Sequence, residues 1–93
     1  MLTEERKEFA RKEGRTAPAV TLYVVPGCPL CSATRRWLDE RGVAYAERDV
    51  ANDFGALRSM YRLTRQRYVP VVEAGGRALV RPSNAELKEL LCV

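Results

Sequence analysis

Val24-Val25-Pro26-Gly27-Cys28-Pro29-Leu30-Cys31 sets two thiols two residues apart at the point where an extended pattern gives way to a helical one. Val20 to Val25 is almost continuously apolar and rich in β-branched residues, the pattern of a strand covered on both faces. Pro29, with its fixed φ and no N–H, suits the first turn of a helix. Leu30, Ala33, Thr34, Trp37, Leu38 and Arg41 then recur at helical spacing, Arg41 covering the rim with its stem, and Gly42 is the stop. Cys28 therefore belongs at a helix N-terminus, where unpaired N–H groups and the positive end of the macrodipole favour its thiolate. The thiolate is both the nucleophile and the better leaving group of disulfide exchange. Cys31, one turn in, is placed to resolve a mixed disulfide formed on Cys28, so the pair is a candidate redox centre.

Other uses of these thiols fit less well. Zinc wants four ligands, and the 93 residues contain no His and one further Cys, Cys92. Inert core cysteines would not need Gly27 and Pro29 to shape the loop around them. Cys92 is read as an apolar filler or an exposed thiol, without a catalytic role.

Composition fits a single soluble globular domain, with 46% hydrophobic and 30% charged residues. No apolar run approaches the roughly 20 residues that cross a bilayer, so no membrane partner is expected. Met1 to Glu8 is charged and lacks an apolar signal core, which predicts a cytoplasmic protein. In that reducing compartment three cysteines argue for catalysis rather than a disulfide framework. The net charge of +4 and pI near 9.3 raise the question of nucleic acid. Twelve acidic residues are mixed among sixteen basic ones with no basic run, so nucleic acid is not an expected partner, though a mild attraction for acidic partners remains.

The rest of the chain alternates. Thr3 caps a predicted helix over 4–13 with thin apolar content, solvated or partly frayed. Val43 to Val50 reads as a second strand, parallel to the first. Asn52 or Asp53 caps a helix whose apolar stripe is Phe54, Leu57, Met60 and Tyr61. Val69 to Ala74 is a third strand, and Gly75-Gly76 is a hairpin signal leading to a fourth, antiparallel strand over Arg77 to Val80. Ser83-Asn84-Ala85-Glu86 has the form of a capping box, opening a last helix that buries Leu87, Leu90 and Leu91. Trp37 is read as core. Arg35, Arg36, Arg58, Arg62 and Arg65 are read first as solvated helix charge.

The order β-α-β-α-β-β-α, with Cys-x-x-Cys at the first strand-to-helix junction, resembles the glutaredoxin group of the thioredoxin fold. Thr21-Leu22-Tyr23 leading to Pro26-Gly27-Cys28-Pro29-Leu30-Cys31 is similar to the family's active-site approach, and Tyr68-Val69-Pro70 to its Thr-Val-Pro, whose proline is cis. Leu79-Val80-Arg81-Pro82-Ser83 occupies the place of the family's Gly-Gly or Gly-Phe turn. The resemblance implies an α/β fold with a small mixed four-stranded sheet flanked by helices. Residues 18–93 would form the glutaredoxin-like domain, with residues 1–17 an N-terminal helical extension.

It further implies a thiol-disulfide oxidoreductase with Cys28 and Cys31 as catalytic residues. Pro29, Leu30, Gln66, Arg67, Tyr68, Val69, Pro70 and Arg81 would bind substrate, Gln66 and Arg67 meeting a glycyl carboxylate and Val69 pairing its backbone with the bound disulfide. The expected partners are disulfide-containing protein substrates acting on a monomer. No tightly bound cofactor and no metal are expected. Glutathione or an equivalent low-molecular-weight thiol is the implied co-substrate. Val25 stands where the family usually has Lys, and Arg81-Pro82 where glutathione users have Gly-Gly followed by an acidic residue. These departures keep open a redoxin reduced by thioredoxin reductase, of the type serving ribonucleotide reductase, whose Gly-Phe-Arg-Pro-like turn Val80-Arg81-Pro82 partly matches. A glutathione-assisted [2Fe-2S] protein is a third alternative, disfavoured by Pro29 within this family.

Overall fold

A computed structural model describes residues 19–92. The helix expected over 4–13 lies outside the described residues. Seven elements follow one another: β1 (Val20–Val24), α1 (Pro29–Glu40), β2 (Ala46–Asp49), α2 (Phe54–Thr64), β3 (Val71–Ala74), β4 (Arg77–Val80) and α3 (Asn84–Leu91). The strands form one mixed sheet in the order β2-β1-β3-β4. β1 runs parallel to β2 and antiparallel to β3, with Leu22 opposite Glu47 on one side and Val72 on the other. A strand paired on both edges and covered on both faces has no solvent side, which is why β1 reads as an unbroken apolar run.

The core gathers Leu22, Val24, Leu38, Met60, Val71, Val72 and Leu87, all buried, around β1 and β3. α1 contributes Cys31, Thr34, Trp37 and Leu38. Leu30 and Ala33, expected in the same stripe, are exposed instead, because they face a pocket over Pro70 and Arg81 rather than the sheet. Arg41 does cover the rim, its guanidinium 4.0 Å from the Trp37 ring centroid.

Two strands are shorter than expected. β2 begins at Ala46, since Val43 and Tyr45 pack their side chains on the core before the ladder starts. β3 begins at Val71, because Pro70 has no N–H to give the ladder. The Pro70 carbonyl still accepts the Arg81 N–H at 2.8 Å, holding the ends of β3 and β4 together. The Val69–Pro70 bond is cis, as the resemblance implied.

The α2 stripe holds at Met60, which is buried, and at Leu57, which packs half-buried on the core, and is corrected at Phe54 and Tyr61. Asp53 is the cap, its carboxylate accepting from the Gly55 and Ala56 N–H groups. Ala56 and Met60 carry the buried face, while Phe54 and Tyr61 point to solvent. At about 100° per residue Phe54 lies on the opposite side of the helix from Ala56, and the small Ala56 lets α2 approach the sheet.

Gly75 and Gly76 both take positive φ, 59° and 81°, as a two-residue hairpin turn requires. Ser83 and Glu86 form the reciprocal capping box of α3, with the Glu86 N–H 3.1 Å from Ser83 Oγ and the Ser83 N–H 2.8 Å from the Glu86 carboxylate. Among the described residues, no helix is long and apolar enough to cross a membrane.

Candidate active site

β1 ends at Val24, the chain turns through Gly27 at φ +75°, and Cys28 becomes the N-cap of α1. Its backbone is extended, at φ −88° and ψ 114°, and its sulfur accepts the Cys31 N–H at 3.2 Å. A sulfur thus fills the cap position that Ser or Asp usually holds, taking one of the helix's unpaired donors. Pro29 follows at N1, where a missing N–H costs nothing.

The two thiols sit in different surroundings. Partial burial pushes the Cys28 thiol up. The hydrogen bond from the Cys31 thiol, the N–H groups of Cys31 and Leu30, and the Arg81 cation outweigh that, so its pKa lies below the ordinary 9.0. Cys31 is 1% exposed, and burial, then its bond to the Cys28 sulfur, push it up to about 11. The outer thiol is therefore the more readily ionised of the two, and burial favours the protonated form of the inner one. All three cysteines are free thiols, and Cys92 is exposed at the end of α3.

Arg81 is the second centre of the site. It holds a left-handed φ of 48°, and its Nε–H donates to the Val69 carbonyl at 2.9 Å. Its guanidinium lies 5.0 Å from the Tyr68 ring centroid. One side chain therefore ties the Tyr68-Val69-Pro70 segment to the turn before α3 and puts positive charge near Cys28. Leu30, Pro70, Arg81, Pro82 and Leu87 are among the residues lining an adjoining pocket of about 140 Å³.

The structure brings Cys28, Cys31, Leu30, Pro70 and Arg81 into one neighbourhood, with Val69 and Tyr68 joined to it through Arg81. Gln66 is spent on its own turn. Its amide donates to Thr64 Oγ1 at 2.9 Å and its carbonyl oxygen accepts the Tyr68 N–H. Arg67 lines a separate groove with α2 residues. Arg35 is paired in a fork with Glu47, both N–O distances 2.9 Å, in an exposed ion pair across α1 and β2. Sequence reasoning did not find Arg81's bond to Val69; its one signal was an Arg directly before Pro82, a position that proline steers away from right-handed helix. Among the described residues no three His, Cys, Asp or Glu side chains converge as a metal site would need.

The family model for glutaredoxin matches residues 20–79. The chain belongs to the glutaredoxin family. An uncharacterized glutaredoxin-like 8.6 kDa protein from the rubredoxin operon of Clostridium pasteurianum is 29% identical over 72 residues, covering 77% of this chain and 96% of its own. Among solved structures, a mutant of a thioredoxin-like protein superposes with a TM-score of 0.76 at 27% identity, over 81% of this chain and 96% of that one. The Escherichia coli NrdH-redoxin, described as a glutaredoxin-like protein with a thioredoxin-like activity profile, gives a TM-score of 0.59 at 30% identity, over 66% and 79% of the two chains. The architecture is that of the thioredoxin fold, a four-stranded mixed sheet with three helices.

Proposed function

We propose that the chain is a dithiol oxidoreductase that reduces disulfides in protein substrates, with Cys28 attacking and Cys31 resolving. The observation that carries this reading is the Cys28 sulfur at the head of α1, accepting the Cys31 N–H at 3.2 Å beside a buried Cys31 whose thiol that burial pushes up. In the first step the Cys28 thiolate attacks one sulfur of the substrate. A new S–S bond forms, the substrate S–S bond breaks, and the departing thiolate takes a proton from water. In the second step Cys31 gives up its proton and attacks the Cys28 sulfur. The mixed disulfide breaks, the second substrate thiol leaves, and the two electrons gained by the substrate are balanced by a Cys28–Cys31 disulfide. Pro29, Leu30, Tyr68, Val69, Pro70 and Arg81 form the surface over which the substrate lies.

The regenerating reductant in this reading is thioredoxin reductase rather than glutathione. Val25 offers no cation where glutathione users carry Lys, the Gln66 amide is engaged by its own turn, and Arg81 takes up the Val69 carbonyl. The NrdH-redoxin likeness, at 30% identity, points the same way. In this reading the protein works as a monomer in the cytoplasm, where thiols are kept reduced.

The test supplies a protein disulfide and follows NADPH consumption with thioredoxin reductase, then with glutathione and its reductase. Turnover is expected with thioredoxin reductase, and both Cys28→Ser and Cys31→Ser should abolish it. Turnover restricted to the glutathione system and surviving in Cys31→Ser would replace the dithiol route with a glutathione-resolved one.

A further inference from the structure

α2 carries a second surface on the side turned away from the sheet. Phe54, Leu57, Arg58 and Tyr61 fall at i, i+3, i+4 and i+7, and with Arg67 they line an open groove of about 360 Å³. Phe54 is 82% exposed and Tyr61 47% exposed, although burial favours such rings. Ala56 and Met60 are buried in the core and Leu57 packs against its edge, so neither ring is needed for α2 to hold its place. Two cations flank the apolar floor. The ion pairs among the described residues are Arg35–Glu47 and Arg48–Asp53, and neither includes Arg58 or Arg67.

The groove is separate from the pocket beside Cys28, and the chain itself joins the two. Arg67 stands two residues before Val69, whose carbonyl meets Arg81, and Arg81 is the cation that acts on Cys28. A peptide lying along Tyr68, Val69 and Pro70 would meet Arg67 at the edge of the groove.

We propose that this groove docks an acidic peptide segment carrying an aromatic or large aliphatic side chain, next to the disulfide that Cys28 attacks; the proposal rests on the exchange reading above. The apolar side chain covers Phe54, Leu57 and Tyr61, and carboxylates pair with the two guanidinium forks. A second copy of this chain is a poor occupant, because a two-fold contact would bring Arg58 and Arg67 onto themselves.

The experiment uses the full chain and short labelled peptides that contain one Trp and a Ser in place of Cys, so that binding is independent of exchange. One peptide is flanked by Glu and the other by Lys, and binding is read by fluorescence anisotropy. The Glu peptide should bind at least about ten-fold more tightly than the Lys peptide, and raising salt should reduce the difference. Arg58→Glu and Phe54→Ala should each weaken the Glu peptide several-fold while turnover of a low-molecular-weight disulfide stays within about two-fold. Equal binding of the two peptides, or Glu-peptide binding unaffected by both substitutions, overturns the proposal. Self-association that Phe54→Ala abolishes also overturns it, assigning the groove to a second copy. Failure of the exchange reading shows separately, as loss of small-disulfide turnover in the wild-type chain.

Discussion

Arg81 sits at the junction of the Tyr68-Val69-Pro70 segment, the turn before α3 and the charge field of Cys28. Its contribution to thiolate stability is the smallest of those acting on Cys28, and the side chain is exposed, so its effect is that of a surface ion pair. Arg81→Met should therefore slow alkylation of Cys28 at neutral pH by a factor of about 2–5, with the pH profile displaced upward. An unchanged profile would show that the helix donors alone hold the thiolate. At this scale the Cys-x-x-Cys pair was legible, because proline and glycine around two thiols leave few other readings. The bond from Arg81 to Val69 was not. It joins residues 12 apart through one side-chain rotamer, and neither spacing nor propensity records that. Gln66 shows the same limit, since an amide that suits a carboxylate equally suits the turn next to it.

The elements follow local chemistry where that chemistry is strong. Ser83 and Glu86 close both bonds of the capping box, so Ser83→Ala should destabilise the fold by about 1 kcal/mol, read as a lower urea midpoint at unchanged slope. A loss below a few tenths would mean that packing of Leu87 alone holds the N-terminus of α3. The double glycine at 75 and 76 was equally legible, because left-handed φ at two successive residues has few other solutions. α2 was legible as a helix, and its stripe at Leu57 and Met60, but not at its aromatic positions. Phe54 and Tyr61 have the hydrophobicity of core residues, and the pattern weighs them above Ala56. The sheet instead takes the small side chain that lets the helix come close, and leaves the aromatic rings outside.

For the molecule as a whole, β1 is the element on which the rest assembles, pairing with β2 and β3 and passing directly into the active-site loop. Leu22 lies at its centre, fully buried, so Leu22→Ala should cost about 2–5 kcal/mol. Chemical denaturation followed by Trp37 fluorescence measures this, and a cost under 1 kcal/mol would contradict a core centred on β1. The β1–β2 and β3–β4 pairings were legible from connection lengths, a helix between the first two strands and a tight turn between the last two, but the antiparallel β1–β3 pairing that joins them was not.

The central claim is that helix α1 holds Cys28 ionised and reachable while Cys31 keeps its proton. The most direct test alkylates the reduced full-length chain across a pH series and resolves each cysteine by peptide mass. The Cys28 rate should rise through a midpoint below that of a cysteine in a free peptide and level off above it, with Cys31 unreactive until about pH 11. A Cys28 midpoint at or above that of the free peptide would contradict the account.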